Sequence, residues 1–188
     1  MARLDDPGRS PFELTRREEP WVVFAPEGDV ALARQLAVLE WQRGGLVVHL
    51  PAEELTTPES LFLAFARSLE FPGYFGHNWD ALVDCLDDLH GSWHGNRDIA
   101  VVVDNADLLL DVDHLPLFVS VLCQAAARAN SAVDADGDSR DDRPAIAQHF
   151  VFVCRGVPPG EFASRLVRPD VDVESCGAYV TVTAPVAQ

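Results

Sequence analysis

Lysine is absent from this chain of 188 residues: all 14 basic side chains are arginines, set against 30 Asp and Glu, for a formal net charge of -16. So acidic a balance excludes the usual nucleic-acid binder, because phosphate recognition needs a basic footprint. Long apolar runs are missing too. The longest, 99–103 and 115–127, the second broken by Pro116, Ser120 and Gln124, fall well short of the roughly 20 residues that span a bilayer. The opening stretch MARLDDPGRSPFELTRREEP has charges of both signs and no apolar core of signal-peptide kind, so a cytoplasmic protein is expected. Cysteine is sparse: Cys85, Cys123, Cys154 and Cys176 lie 22 to 38 residues apart and form no CxxC pair. They read as reduced packing residues, with neither zinc spacing nor a disulfide framework.

Apolar side chains make up 48% of the chain and charged ones 23%, enough for a real core and too apolar for a disordered chain. Residues 1–19 are polar, hold two prolines and show no periodicity, so they read as a flexible tail, with order beginning near Pro20. The apolar run 21–24, closed by Pro26 and Gly28, reads as a strand. Asp29 then caps a helix whose Leu32, Leu36 and Leu39 share one face, and Gly44 and Gly45 stop it. A strand at 46–50, a helix from Pro58 carrying Leu61, Phe62, Phe65 and Leu69, a turn at 71–76 and a helix at about 78–89 follow. Beyond them the pattern gives a strand at 99–103, a helix at about 115–129, a strand at 150–154, a short helix at 160–166 and an edge hairpin turning near 175–177. Strands alternating with helices predict a mainly parallel, helix-covered sheet in one α/β domain, 20–188.

The stretch FPGYFGHNWDALVDCLDDL, residues 71–89, is the most informative. At about 100° per residue, with Asp80 at zero, Asp84 falls near 40°, Asp87 near -20° and Asp88 near 80°, while Leu82, Cys85, Leu86 and Leu89 fall between roughly 140° and 240°. One face is core and the other is carboxylate, with no Lys or Arg interleaved. Like charges at i, i+4 oppose helix formation, and anions near the carboxyl end oppose the macrodipole, so local stability does not explain the pattern. From Asp80 to Asp113 there are nine Asp and one Arg, a net of -8, half of the whole molecule's charge. A clustered field of one sign speeds encounter with an oppositely charged partner. A basic protein partner is therefore expected.

These residues also carry a resemblance. FPGYFGHNWDALVDCL is similar to the core signature of the barstar family, small intracellular inhibitors of secreted ribonucleases, and the likeness covers about 45–155. It implies a barstar-like three-stranded parallel sheet packed with helices, here enlarged by an N-terminal strand and helix and by C-terminal strand additions (156–188), with an acidic loop at about 131–143 as an insertion. It implies inhibition by substrate mimicry, in which the acidic helix and the loop before it occupy the place of RNA phosphates in the enzyme. Matched to the motif, Asp84 is the central anion, Asp80 its partner one turn earlier and Tyr74 the packing aromatic, while Gly76 and Asn78 shape the turn and helix start. Val83, which the resemblance also places at the partner interface, stands where a relative carries a large aromatic. The segment 124–130 lacks a relative's acidic interface residue, a charge that Asp87 and Asp88 are expected to supply.

Other clusters are weaker. The loop 134–142 has the look of a calcium site, but its glycine comes fourth where an EF-hand needs it sixth. Asp104 and Asp107 follow a strand, as metal-binding carboxylates do in phosphotransfer enzymes, yet no glycine-rich phosphate loop accompanies them, so capping is favoured. His90 and His94 flank glycines and make poor ligands. His77, at the start of the acidic helix, is expected to form a local hydrogen bond. Trp21, Trp41 and Trp79 fall in regular elements and are expected to pack at least partly in the core, leaving Trp93 to face a partner. The sequence thus points to a non-catalytic inhibitor of a basic secreted ribonuclease or ribonuclease toxin, monomeric when free and needing no cofactor or metal. The alternatives are an interaction module for a basic protein that is not a nuclease, and a metal-dependent phosphoesterase built on the Asp cluster.

Overall fold

The computed structural model describes residues 10–90, 94–131 and 145–185, with only the backbone of His90. The acidic loop insertion and Trp93 lie outside the described residues.

Six strands form one sheet in the order β2-β3-β4-β1-β6-β5. The strands β1 (Val22–Pro26), β2 (Leu46–Pro51), β3 (Ile99–Asp104) and β4 (Gln148–Cys154) are mutually parallel. The last two, β5 (Asp172–Cys176) and β6 (Tyr179–Thr183), form the expected hairpin, and β6 joins β1 antiparallel. Gly177 takes a left-handed φ of 64° in its turn, a conformation glycine adopts without a Cβ penalty.

Parallel strands buried on both sides should have both residue sets apolar, and they do. Val22 and Phe24, Ile99, Val101 and Val103, and Phe150 and Phe152 face one core. Val23 and Ala25, Ala100 and Val102, and Val151 face the other. The first core is covered by α2 (Pro58–Ser68), α3 (Trp79–Asp87), α4 (Leu115–Ser131) and the short α5 (Gly160–Ala163). The second is covered by α1 (Val30–Ala37), which continues as a π turn over Val38–Gln42, and by the segment before β1.

That segment corrects the expectation of a loose tail up to residue 19. Phe12 and Leu14 are buried in the second core. The side chain of Gln35 on α1 clasps them: its Nε2 donates to the Phe12 carbonyl and its Oε1 accepts from the Leu14 amide, both at 2.8 Å. Residues 10–19 are therefore a strap across the sheet. Two isolated apolar side chains among charged ones carry no periodic signal, but a sheet face rich in valine needs a cover.

Helix starts follow local chemistry. Asp29 accepts from the Leu32 amide at 2.6 Å, and Thr57 accepts from the Ser60 amide at 3.2 Å with Pro58 in the first turn. Gly45 is required by close approach: a Cβ there would lie 2.9 Å from the Asp98 carbonyl. Trp41 departs from expectation, being 80% exposed, while Trp21 is buried. Trp79 is half-buried against Phe62 and Phe118 at 4.9 and 6.3 Å between ring centroids.

Candidate functional site: an acidic helix face and its preceding loop

The loop 71–78 is built around Phe75. This ring is buried against Phe71 and Phe62, with centroids 5.0 and 6.2 Å away, and its amide donates to the Pro72 carbonyl at 2.9 Å. With Phe75 anchored inward, the adjacent Tyr74 is turned out and is 72% exposed. Glu70 and His77 both adopt left-handed backbones, with φ of 50° and 48°. Two strained non-glycine residues bracketing one loop mark a shape held by its surroundings, as is common at binding sites. The expected polar partner for His77 gives way to a ring contact, its imidazole lying 4.8 Å from the Phe75 centroid.

Asn78 ends the loop and starts α3, its Oδ1 accepting from the Ala81 amide at 2.9 Å. Its Nδ2 donates back to the Gly76 carbonyl at 3.3 Å, and a Cβ on Gly76 would sit 3.0 Å from that nitrogen. Gly76 and Asn78 thus shape the turn, and Asp80 follows in the first helical turn, exposed and on the side the macrodipole favours.

Along α3 the exposed positions are Asp80 and Asp84, with Asp88 half-buried beyond them. Val83 and Asp87 do not belong to this face. Both are only 4% exposed, which corrects their placement as partner contacts. The helix is covered not only by the sheet but by α4 lying alongside, so the buried arc runs from Cys85 near 140° round to Asp87 near 340°, about 200° wide rather than the 100° the apolar pattern marks. The exposed strip is correspondingly narrower, with carboxylates at i, i+4 and i+8.

A cation reaches this strip from the neighbouring helix. Arg128 Nη1 lies 3.5 Å from Asp84 Oδ1, with the Arg128 side chain 18% exposed and that of Asp84 72%. Nothing in the spacing of residues 71–89 points to Arg128. It projects from α4 and meets the strip only because α3 and α4 pack together.

Asp104, Asp107 and His94 resolve as structural. Asp107 accepts the amides of Arg155, Gly156 and Val157 at 3.0, 2.7 and 3.1 Å, capping the end of β4. Asp104 pairs with His49 Nδ1 at 3.0 Å across β2 and β3. Among the described residues no group of three or more His, Cys, Asp or Glu could hold a metal ion. His94 is buried, its Nε2 3.0 Å from the Leu69 carbonyl. Burial lifts the thiols of Cys85 and Cys154 to about 11 and about 12, aided by Asp88 and Asp107 respectively, so neither is a thiolate nucleophile at neutral pH.

The sequence model of the family described as barstar (barnase inhibitor) matches residues 46–144. The chain belongs to the barstar family. The matched segment spans more than half the chain and contains β2, α2, the loop, α3, β3 and α4. A search of the curated proteins returned no match. The barstar-like α/β fold is thus extended, with β1 and β6 continuing the sheet beyond β4 and β5 forming its far edge. Barstar-family proteins are inhibitors that bind ribonucleases, and residues 46–144 are a protein-interaction module of that type. Among the described residues no helix is long and apolar enough to cross a membrane.

Proposed function

We propose that the protein inhibits a basic ribonuclease, secreted or deployed as a toxin, by filling its active site with the loop 71–78 and the exposed strip of α3. The observation that carries this reading is an exposed Tyr74 in the loop leading into α3 together with the exposed carboxylates Asp80 and Asp84, one turn apart on that helix. A ribonuclease gathers Arg, Lys and His to stabilise the anionic transition state of phosphodiester cleavage. Carboxylates one helical turn apart meet such groups with charge-assisted hydrogen bonds, and the aromatic covers the adjacent base-binding surface. Asp88 extends the same negative strip. In this role the protein acts as a monomer in the cytoplasm, as an immunity protein, with no catalytic step of its own.

Titrating the purified protein into a basic microbial ribonuclease tests the proposal. Inhibition should saturate near one to one and weaken as salt rises, because screening reduces electrostatic steering. Asp84→Ala should weaken inhibition by roughly 10- to 100-fold, the range for losing a hydrogen bond to a charged group. Glu174→Ala, exposed on β5, should not. Equal effects of the two substitutions would remove α3 from the interface. Capture of a basic protein without ribonuclease activity, together with failure to inhibit any nuclease tested, would assign the face to a different basic partner.

A further inference from the structure

The anion at the centre of the exposed strip is already met by a cation of this chain. Arg128 is largely sunk between helices while Asp84 stands on the surface, and the 3.5 Å approach is to Oδ1. A carboxylate has two oxygens. Holding Oδ1 toward α4 leaves Oδ2 as the atom an incoming cation meets.

We propose that Arg128 is a specificity-determining residue of the acidic face: it fixes the direction of the Asp84 carboxylate and keeps a positive charge behind it, so that the face favours a partner bringing one well-placed guanidinium over a diffuse polycation. The inference rests on the reading that this face binds a basic ribonuclease. Two effects compete, and they act on different ligands. The Arg128 charge repels every incoming cation; at about 6 Å and an effective dielectric of roughly 40 to 80, the weakening is about three- to tenfold. The orientation it imposes helps only a partner whose donor already lies where Oδ2 points, because such a partner loses no affinity to reorienting the carboxylate. Arg128 therefore lowers affinity for cations in general while sparing the matched partner. Its rigid fork suits this task, and its depth between the helices keeps it from offering its own donors to the partner.

The experiment compares binding of an octa-arginine peptide and of a basic microbial ribonuclease to the wild-type protein, Arg128→Gln, Arg128→Lys and Asp84→Ala, at one fixed salt concentration, with melting temperature recorded for each. Arg128→Gln should bind octa-arginine roughly three- to tenfold more tightly and the ribonuclease no more tightly, so the selectivity ratio falls by the same factor. Arg128→Lys should leave octa-arginine binding unchanged and weaken ribonuclease binding, since it keeps the charge and loses the fork; this variant carries the test if Arg128→Gln melts early. If Asp84→Ala weakens ribonuclease binding while both Arg128 variants keep the wild-type ratio, the role of Arg128 is overturned and the inhibitory face stands. If Asp84→Ala binds the ribonuclease as well as wild type, the inhibitory reading falls and Arg128 has no selectivity to set.

Discussion

Tyr179 on β6 donates its hydroxyl to Asp29 Oδ2 at 2.8 Å, joining residues 150 positions apart. Asp29 is also the N-cap of α1. One carboxylate thus starts the helix that covers the second sheet face and ties that helix to the C-terminal hairpin, so the two additions that flank the family's segment brace each other.

Tyr179→Phe should therefore lower stability by about 1 kcal/mol, the net worth of a typical hydrogen bond. Wild type should also lose stability in alkali. Burial first, and the Asp29 carboxylate second, lift the Tyr179 hydroxyl from 10.0 to about 12. A group whose folded value is raised contributes stability that is complete below the unfolded value and is lost as pH rises through the folded one. The loss should fall between about pH 10 and 12. Chemical denaturation across that range checks it, and an identical slope in Tyr179→Phe would exclude this tyrosine as the cause.

The strap should matter for stability and not for the acidic face. Leu14→Ala removes a fully buried side chain from the second core and should cost about 2 to 5 kcal/mol. The strap lies across the sheet from α3, so ribonuclease inhibition measured well below the melting temperature should stay at the wild-type level. Reduced inhibition by a still-folded Leu14→Ala protein would mean that the two faces are coupled through the sheet.

His149 makes the strap sensitive to acid. Its Nε2 lies 2.7 Å from the Arg16 carbonyl and its Nδ1 3.0 Å from the Pro20 carbonyl, with Trp21 beside the ring and Asp98 as the nearby charge. A neutral imidazole donates to one carbonyl only. Burial holds its pKa below the ordinary 6.5, outweighing the raising effects of the two carbonyls and Asp98. The unfolded chain thus takes up the proton more readily, and stability should fall as pH drops below about 6.5. Amide exchange of Leu14, whose N–H is held by Gln35, should quicken relative to the core strands over that range. Unchanged relative protection at pH 5 and 7.5 would show that the strap does not respond to His149.

Strand and helix types were readable because both residue sets of the central strands are apolar and because Asp29, Thr57 and Asn78 stand where helices begin. The strap was not, since Phe12 and Leu14 are held by partners that are distant in sequence: Gln35 lies 21 residues beyond Leu14, and His149 lies 133 beyond Arg16. Helical period located the core face of α3 but not its width. How far round the helix burial extends depends on α4, which is also why the spacing does not point to Arg128 and why Asp87, only about 20° from Asp80, is buried.

Val83 and Asp80 separate packing from recognition on one helix. Val83 is buried in the first core, so Val83→Ala removes two methyl groups' worth of burial and should cost about 2 kcal/mol of stability. Its effect on ribonuclease affinity should be slight, because no partner reaches it while α3 stays packed. Asp80 is exposed in the first turn, so Asp80→Ala should cost no more than about 0.3 to 1 kcal/mol of stability, from the lost interaction with the helix dipole. It should nevertheless weaken inhibition by about tenfold or more, as one charge-assisted hydrogen bond is lost. Denaturation midpoints and inhibition constants measured on the two variants give opposite orderings if the exposed strip is the recognition surface. The same ordering in both measurements would mean that loss of inhibition merely follows loss of the fold.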